Sequence, residues 1–257
     1  MKTISAILFL ILLNLESAFS QGEIDTQSKI LYRNERTYAV TLNSNGYSAD
    51  FRYAKRLNAF KKSLYALEFS YIKHEKEAKA PISSQQLGNG FVFGKLNSFW
   101  ALRAGVGLQK ELFQKQDKGG ISIRYFYHFG PVIGFLKPIY YELGPDSTGH
   151  SPIVKFEPHL SNIQSKAPFY DGLSELSIVP GAYGKFGFTF EFSKKDEVFS
   201  AIETGIAIDA FIKVIPIMAN NENHWLFFSF YLSYRFGKVM DVRFNNKVTK
   251  LDEMLSN

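Results

Sequence analysis

The chain has 257 residues, no cysteine, and 30 Lys and Arg against 24 Asp and Glu, which gives a formal net charge of +6. The lack of cysteine excludes a disulfide scaffold, a thiolate-ligated metal site, a thiol nucleophile and an N-terminal lipoprotein anchor. The 25 Phe, 14 Tyr and 2 Trp beside only 21% charged residues are unusual for a cytoplasmic enzyme, and a mean hydropathy of −0.11 excludes a bundle of membrane helices.

The N-terminus has the three parts of a secretory signal peptide. Lys2 precedes a largely apolar run over residues 4–13, and Ala18 and Ser20 supply small residues before a cleavage site at Gln21. A short membrane anchor is the alternative, but about ten residues are too few to span the hydrocarbon core as a helix. We therefore predict a signal peptide over residues 1–20, followed by an exported chain whose residues 21–36 form a periplasmic N-terminal segment.

From residue 37 to residue 236, apolar and polar residues alternate with the period of two that strands show. In 177–192, for example, phenylalanine stands at every second position from 186 to 192, with small, hydroxyl or charged residues between. A helix would need apolar residues three and four apart. Ten segments show the strand pattern: 37–44, 46–56, 63–73, 88–96, 99–110, 120–129, 131–142, 177–192, 199–216 and 224–236.

The lengths and connections of these segments point to one kind of barrel. Most segments have 9–13 residues, close to the length of a tilted strand that crosses a membrane. After the first hairpin, short connections (57–62, 97–98, 130–131 and 193–197) alternate with longer polar ones (74–87, 111–119, 143–176 and 217–223). Short turns at one end and long loops at the other are typical of outer-membrane barrels.

The sequence therefore predicts an all-β fold, a transmembrane antiparallel up-and-down β-barrel over residues 37–236. We expect about ten strands, with eight or twelve left open, short periplasmic turns and a long extracellular loop. Both termini then lie in the periplasm, and the protein is predicted in the outer membrane of a Gram-negative cell. A lipocalin-like soluble barrel and a β-sandwich are the alternatives, but a sandwich would carry dense Lys and Glu on its solvent face.

The residues that face inward by this alternation carry nearly balanced charge. Unpaired charges in a narrow lumen would be costly, so we expect acids and bases to pair and to fill the barrel as a plug. The predicted lumen network comprises Asp50, Arg52, Glu68, Arg103, Arg124, Lys185, Glu203 and Asp209. The same parity places Glu191, Lys213 and Arg235 inward, and it places Asp50, Arg52, Arg103, Arg124 and Asp209 together at middle depth.

Two regions outside the predicted strands are candidates for contacts. Loop 143–176 is long enough to be either functional or disordered. Its spaced apolar residues predict that it folds over the mouth or meets a partner through Phe156, Phe169 and Tyr170, with a mobile loop as the alternative. Residues 237–257 are predicted as a periplasmic C-terminal tail, which is either frayed or a docking element.

Motifs for catalysis or ligand binding are sparse. The chain has no Gly-x-Ser-x-Gly elbow and no complete phosphate-binding loop. His74 with Glu75 and Glu77 could be half of a metal site, but nothing fixes a third ligand and a charged, solvated loop is favoured. No run of Lys and Arg exceeds two residues, and export argues against a nucleic-acid partner. We therefore predict no enzymatic activity, no catalytic residue, no metal and no cofactor.

Four motifs stand in the middle of the chain: KLNS at 95–98, LRAGVG at 102–107, KGGI at 118–121 and GFLKPIY at 134–140. They resemble a widespread family of Bacteroidota-type outer-membrane barrels, mostly uncharacterised or described as porin-like. The resemblance covers roughly residues 33–142 and implies an outer-membrane β-barrel, without a known substrate or catalytic residue. Within these motifs Gly105 and Gly107 face inward, where the missing side chains would let an inward Tyr or Arg lie flat or would permit a bend.

Three functional hypotheses follow, in order of preference. The first is a non-enzymatic interaction subunit of an outer-membrane complex, such as a barrel-assembly or secretion machine. Its partners would be outer-membrane lipids, lipopolysaccharide and other outer-membrane or periplasmic proteins. The second is a small pore or passive transporter, which ranks lower because a ten-stranded barrel has little lumen once Arg and Tyr side chains enter it. The third is a barrel enzyme that acts on lipid or peptide at the outer rim.

Overall fold

The computed structural model describes residues 33–77, 92–115, 119–145, 149–157, 163–195, 197–219 and 221–241. The predicted signal peptide and most of the predicted terminal segments, 21–36 and 237–257, lie outside these residues. Within them the strands are β1 (Arg33–Asn43), β2 (Gly46–Arg56), β3 (Lys61–Ile72), β4 (Asn97–Phe113), β5 (Ser122–Pro138), β6 (Tyr140–Leu143), β7 (Ile153–Lys155), β8 (Ile163–Lys166), β9 (Ser177–Glu191), β10 (Val198–Phe211) and β11 (Leu226–Asp241). A 3-10 helix spans Leu173–Glu175, and no helix of the described residues has the length and hydropathy needed to cross a bilayer.

Eight strands, β1–β5 and β9–β11, close into an antiparallel barrel in which each strand pairs with its neighbour along the chain and β1 pairs with β11. The predicted fold class, an all-β up-and-down barrel, is confirmed, with eight strands in place of about ten. The barrel also extends beyond the predicted range 37–236, because Arg33 pairs with Asp241 where β1 meets β11. The remaining strands, β6, β7 and β8, form a separate three-stranded sheet.

Three of the predicted segments do not each form a strand of the barrel wall. Segments 120–129 and 131–142 are parts of the single strand β5, so the turn predicted at Gly130 and Pro131 lies inside a strand. Pro131 has no N–H to donate, but the register to β4 continues on either side of it. The described part of segment 88–96 forms a turn and one bridge, from Lys95 to Met218, and residues 97–98 begin β4 instead of a turn.

The connections divide unequally between the two ends of the barrel. The loop end carries residues 44–45, 73–96, 139–176 and 212–225, and the turn end carries 57–60, 114–121 and 192–197 with both termini of the described barrel. Loop 111–119, predicted among the long loops, lies at the turn end. Because the described residues 92–96 add no strand to the barrel wall, that loop lies at the opposite end from the one predicted. The fusion of two segments into β5 then returns the later loops to their predicted end.

The register fixes how wide the barrel is. From Ser229 on β11, the hydrogen-bonded partners taken once round the barrel lead back to β11 at Val239, which gives a shear number of 239 − 229 = 10. With eight strands spaced about 4.8 Å apart and a rise of about 3.3 Å per residue, the strands tilt by about 40°. A barrel this narrow is filled by its own inward side chains.

The barrel has polar side chains in its interior and apolar side chains on its outer surface. Inward side chains are buried and many are charged, whereas outward ones are apolar and exposed, among them Tyr38, Phe51, Leu67, Val106, Phe188, Ile208 and Phe230. At the turn end an outward basic rim, made of Arg36, Lys55, Lys61, Lys110 and Lys238, borders this apolar wall. An apolar outer wall around a polar interior is the distribution of a transmembrane β-barrel, and not of a soluble barrel or sandwich.

Candidate functional site

Charged side chains from six strands meet inside the barrel and pair with one another. The central network consists of Asp50, Arg52, Glu68, Arg103, Lys185, Glu203, Asp209 and Arg235. Four acids thus face four bases, and all eight side chains are buried. A buried charge is tolerated only when a partner of opposite sign and further hydrogen bonds replace the lost water. The balance of signs meets that condition.

One half of the central network is built on Arg103. Its Nε and Nη2 donate to the two carboxylate oxygens of Asp209, both at 2.7 Å, and its Nη1 donates to Glu68 at 2.6 Å. Lys185 donates to the other oxygen of Glu68 at 2.9 Å. A two-pronged guanidinium–carboxylate pair fixes both partners in orientation as well as distance, so Arg103 holds β3, β4 and β10 together across the interior.

The other half is built on Arg235 of the last strand. Its Nη2 donates to both oxygens of Asp50, at 2.7 and 2.9 Å, and its Nε lies 3.0 Å from Glu203. Arg52 donates to the second oxygen of Glu203 at 2.8 Å, and the Thr189 hydroxyl donates to the same atom at 2.9 Å. Side chains from β2, β9, β10 and β11 are thereby linked across the interior.

Arg124 does not join the central network as the sequence predicted. Its guanidinium lies 3.0 Å from Glu35 and pairs with Glu191, while Lys62 also pairs with Glu35. Arg124 is the third residue of β5, which begins at the turn end. The prediction at middle depth is therefore wrong, because alternation along one strand tells which way a side chain points and not how high it stands in a tilted barrel.

Two further inward assignments need correction. Glu35 escaped prediction because the first strand was placed from residue 37, although the alternation of Glu35, Thr37 and Ala39 continues the inward column. Lys213 was predicted inward, but it follows the end of β10 at Phe211 and is exposed. Both errors come from the ends of strands, where the alternation alone does not show where pairing begins or stops.

The loop end of the interior is apolar. Here twelve buried side chains form an apolar seal: Ile72, Phe99, Ala101, Val132, Leu136, Val179, Tyr183, Phe211, Ile215, Ile217, Met218 and Phe227. Part of the seal comes from segment 212–225, which turns back inward, and Asn223 Oδ1 accepts hydrogen bonds from the backbone N–H groups of Ile217 and Met218 at 2.8 and 3.1 Å. This seal was not predicted from the sequence, although the apolar pairs Phe99–Trp100 and Phe227–Phe228, which occupy both faces of a strand, signal it.

Inward glycines give the large interior side chains room. The hydroxyl of Tyr183 lies 3.1 Å from His128 Nδ1, and a Cβ at Gly105 would stand 2.1 Å from the Tyr183 hydroxyl oxygen. Tyr231 lies in the same way over Gly187. Of the roles predicted for Gly105, room for an inward Tyr, room for an inward Arg or a bend, the structure shows the first, with Tyr183 in the space of the missing side chain.

Gly105→Val should therefore destabilise the barrel by about 1–3 kcal/mol, since Tyr183 must move within a packed interior. Gly184→Val is the matched control, because a Cβ there faces outward and meets nothing within 4 Å. Urea unfolding in detergent micelles measures both variants. Equal unfolding midpoints for the two would show that the contact with Tyr183 is not a packing constraint.

The long loop folds into the three-stranded sheet at the loop end. Ile139, Tyr141, Phe156 and Ile163 form its core against Leu96 and Ala219. The Tyr141 hydroxyl lies 2.9 Å from the carbonyl oxygen of Val92 and 2.8 Å from that of Lys95, and burial raises its pKa, so that it stays a donor. Phe156, predicted as a partner contact, is a core residue of this sheet, whereas Phe169 and Tyr170 are 59% and 70% exposed.

The residues considered for metal binding do not form a metal site. Nε2 of His74 lies 3.0 Å from the carbonyl oxygen of Glu222, and its ring stacks on His224 with centroids 6.4 Å apart. Across the described residues, no group of three or more His, Asp or Glu side chains is placed to hold a metal ion. His74 thus ties segment 73–77 to segment 212–225.

No family model matches this chain, and no curated protein matches it. Similar solved structures include Ail, the attachment invasion locus protein of Yersinia pestis, with 7% identity, 82% of this chain and 100% of that chain covered, and a TM-score of 0.40. Neisserial surface protein A has 12% identity, coverages of 80% and 96%, and a TM-score of 0.38. The N-terminal β-barrel domain of Pseudomonas aeruginosa OprF has 7% identity, coverages of 81% of this chain and 97% of that chain, and a TM-score of 0.36. At these values the barrel assignment rests on this chain's own strand pairing, and the Bacteroidota-type resemblance stays a prediction.

Proposed function

We propose that this chain is a sealed, non-enzymatic β-barrel of the outer membrane that acts through its surfaces, as an interaction subunit of an outer-membrane complex. One observation carries the proposal: the described interior is occupied from the turn end to the loop end. The group around Arg124 and Glu35 comes first, the central network follows, and the apolar seal closes the loop end. In a barrel without an open lumen, only the outer wall and the two ends are accessible to other molecules.

The filled interior argues against the alternative of a small pore. An ion that crosses would have to separate buried pairs such as Arg103–Asp209, and breaking one costs several kcal/mol. It would then meet Phe99, Phe211 and Phe227, whose rings pack at 5.1–6.0 Å across the apolar seal and offer no polar atoms. Both barriers act in series, so removal of one leaves the other closed.

The same pairing disfavours a barrel enzyme. A general base or nucleophile needs a partner within hydrogen-bond reach and a space for substrate beside it. The carboxylates of Asp50, Glu68 and Asp209 are instead engaged by guanidinium or ammonium groups inside a filled barrel. Their role is therefore to hold strands together.

The unequal ends of the barrel support an orientation in the membrane. Long segments gather at the loop end, and short connections and both termini of the barrel lie at the turn end. In outer-membrane barrels the long loops are extracellular and the short turns periplasmic. We therefore place the three-stranded sheet outside the cell and the basic rim at the periplasmic interface, where Lys and Arg extend to lipid headgroups.

An exposed apolar patch at the turn end supports a protein partner there. Leu57, Phe60, Leu112 and Phe113 are exposed there, on the far side of the basic rim from the lipid-facing wall. The backbone N–H of Glu111 donates to the carbonyl oxygen of Phe60, so the connection 57–60 lies beside the end of β4, which carries Leu112 and Phe113. An exposed apolar patch outside the bilayer is typical of a protein–protein contact, which supports an interaction subunit with a periplasmic partner.

Conductance and co-purification test this proposal together. The wild-type barrel in planar lipid bilayers should show no discrete channels, and extraction in mild detergent should retain a stoichiometric partner. The double variant Phe60→Ser, Phe113→Ser should release that partner while it melts like the wild type. Ile153→Ser, which removes an exposed apolar side chain from the loop-end sheet, is the matched control and should retain it. Discrete channels in wild-type protein purified without a partner would contradict the proposal and favour the pore.

A further inference from the structure

A second exposed apolar surface lies at the opposite end of the barrel. It runs from Phe169, which follows the three-stranded sheet, to Ile178, the second residue of β9, and its large apolar side chains are exposed. Phe169, Tyr170, Leu173, Leu176 and Ile178 are exposed by 59, 70, 44, 37 and 58%. We refer to these five residues as the outer brace. Contiguous surface of this kind on a folded protein marks a contact with something else.

The position of Lys137 shows on which side of the barrel the outer brace lies. Lys137 belongs to the outward column of β5, two residues beyond Phe135, yet it is buried. Its ammonium group lies 5.0 Å from the centre of the Phe169 ring and donates to the carbonyl oxygen of Asp171 at 2.8 Å. The chain at 169–171 therefore crosses the outer surface of the wall and does not cover the mouth.

The outer brace is held there by local geometry. Gly172 has a positive φ of 84°, and a Cβ at this position would stand 2.9 Å from the carbonyl oxygen of Pro138. Glu175 accepts a hydrogen bond from the Tyr140 hydroxyl at 2.6 Å and pairs with Lys155. These contacts connect residues 172–175 to the end of β5 and to the three-stranded sheet.

The outer brace continues the lipid-facing wall without a break. Ile178 stands beside Phe135 in the β5–β9 register, and Ile133 lies next to them on the same outward face. Outward apolar residues on β5 run from Ile123 to Phe135, so the apolar wall reaches the loop end beside Ile178. A protein docked here would have to displace lipid from that wall, whereas an aromatic and lysine mixture at the end of an apolar wall is the composition of a membrane interface.

From this continuity we infer that the outer brace is immersed in the interfacial region of the outer leaflet and contacts lipid acyl chains. It thereby holds the three-stranded sheet to the membrane surface. The inference rests on the membrane placement proposed above. It assigns Phe169 and Tyr170, which the sequence predicts as partner contacts, to lipid.

Depth-dependent quenching of single labelled cysteines tests the inference. The native chain has no cysteine, so Tyr170→Cys, Phe188→Cys and Gln164→Cys each carry one unique label. Phe188 is the control on the wall, and Gln164 is the exposed control on the three-stranded sheet. Each barrel is labelled with bimane and reconstituted in phosphatidylcholine vesicles without spin label, with lipids that carry a spin label near the headgroup, or with lipids that carry it deep in the acyl chain. The headgroup label reports on positions 170 and 164, and the acyl-chain label reports on position 188. We expect the label at 170 to be quenched about twofold more than the label at 164, because only the former reaches the interface.

The two controls separate the possible failures. Quenching at 188 with no more at 170 than at 164 would overturn the lipid contact and leave the membrane wall intact. An unquenched label at 188 would overturn the membrane placement itself and the inference with it. A label at 170 that lipids do not quench, but that a protein from the native membrane shields, would overturn the inference in favour of a protein partner.

Discussion

Replacement of Arg103 by methionine should lower the free energy of unfolding by about 3–5 kcal/mol, because Asp209 then stays buried without its hydrogen bonds to the guanidinium. Methionine retains most of the length of the arginine stem, so little of the loss comes from an empty space. Glu68 keeps its bond to Lys185 at 2.9 Å and is less affected. Urea unfolding in detergent micelles, followed by the fluorescence of Trp100 and Trp225, measures the change.

Two further variants separate charge from packing in this experiment. Asp209→Asn, added to Arg103→Met, removes the stranded charge, so the double variant should recover a large part of the lost stability. Lys155→Met breaks an exposed ion pair with Glu175 on the three-stranded sheet and should leave unfolding unchanged. If Arg103→Met unfolds at the same urea concentration as the wild type, water must solvate Asp209, and the sealed interior is refuted.

On the outer wall, Phe188→Lys should lower the stability of the barrel in a bilayer by about 2–4 kcal/mol. Phe188 faces outward from β9, between the outward Phe186 and Phe190, and stands opposite Tyr125 on β5. A lysine ammonium there lies in hydrocarbon and must bend toward an interface or carry water with it. The measurement is urea unfolding of the barrel in lipid vesicles, with insertion followed by the gel mobility of the folded form.

The matched control for the wall is Phe113→Lys, the same substitution at the turn end, beyond the basic rim. Phe113 is 63% exposed, and a lysine there adds one more base to a basic region, so insertion should proceed normally. The inward neighbour Thr189 is not a suitable control, because its hydroxyl donates to Glu203 at 2.9 Å and any change there disturbs the central network. Equal losses for Phe188→Lys and Phe113→Lys would show that the wall does not face hydrocarbon.

The direction in which side chains point could be predicted from alternation alone. Phe188 and Ile208 are outward, and Glu203 and Asp209 are inward, as the period of two requires. This works because successive side chains of a strand point to opposite faces whatever the strand pairs with. The barrel class followed for the same reason, since apolar columns that face outward along most strands can be satisfied only by lipid. Most of the long connections also lie at one end of the barrel, as the sequence predicts, although the predicted strand list divided β5 into two segments and included 88–96 as a wall strand.

The depth of each inward side chain and the identity of its ion-pair partner, in contrast, depend on the folded barrel. Alternation placed Arg124 beside Asp209, but a shear of ten tilts the strands by about 40°, so Arg124 meets Glu35 and Glu191 at the turn end. Which acid meets which base depends on hydrogen-bond registers all round the barrel, including those between strands that are far apart in the chain, such as β1 with β11. Phe156 shows the same limit, because only the pairing of β6 with β7 and β8 turns an aromatic loop residue into a core residue. Local sequence determines the face of a side chain, and the closure of the whole barrel determines its level and its neighbour.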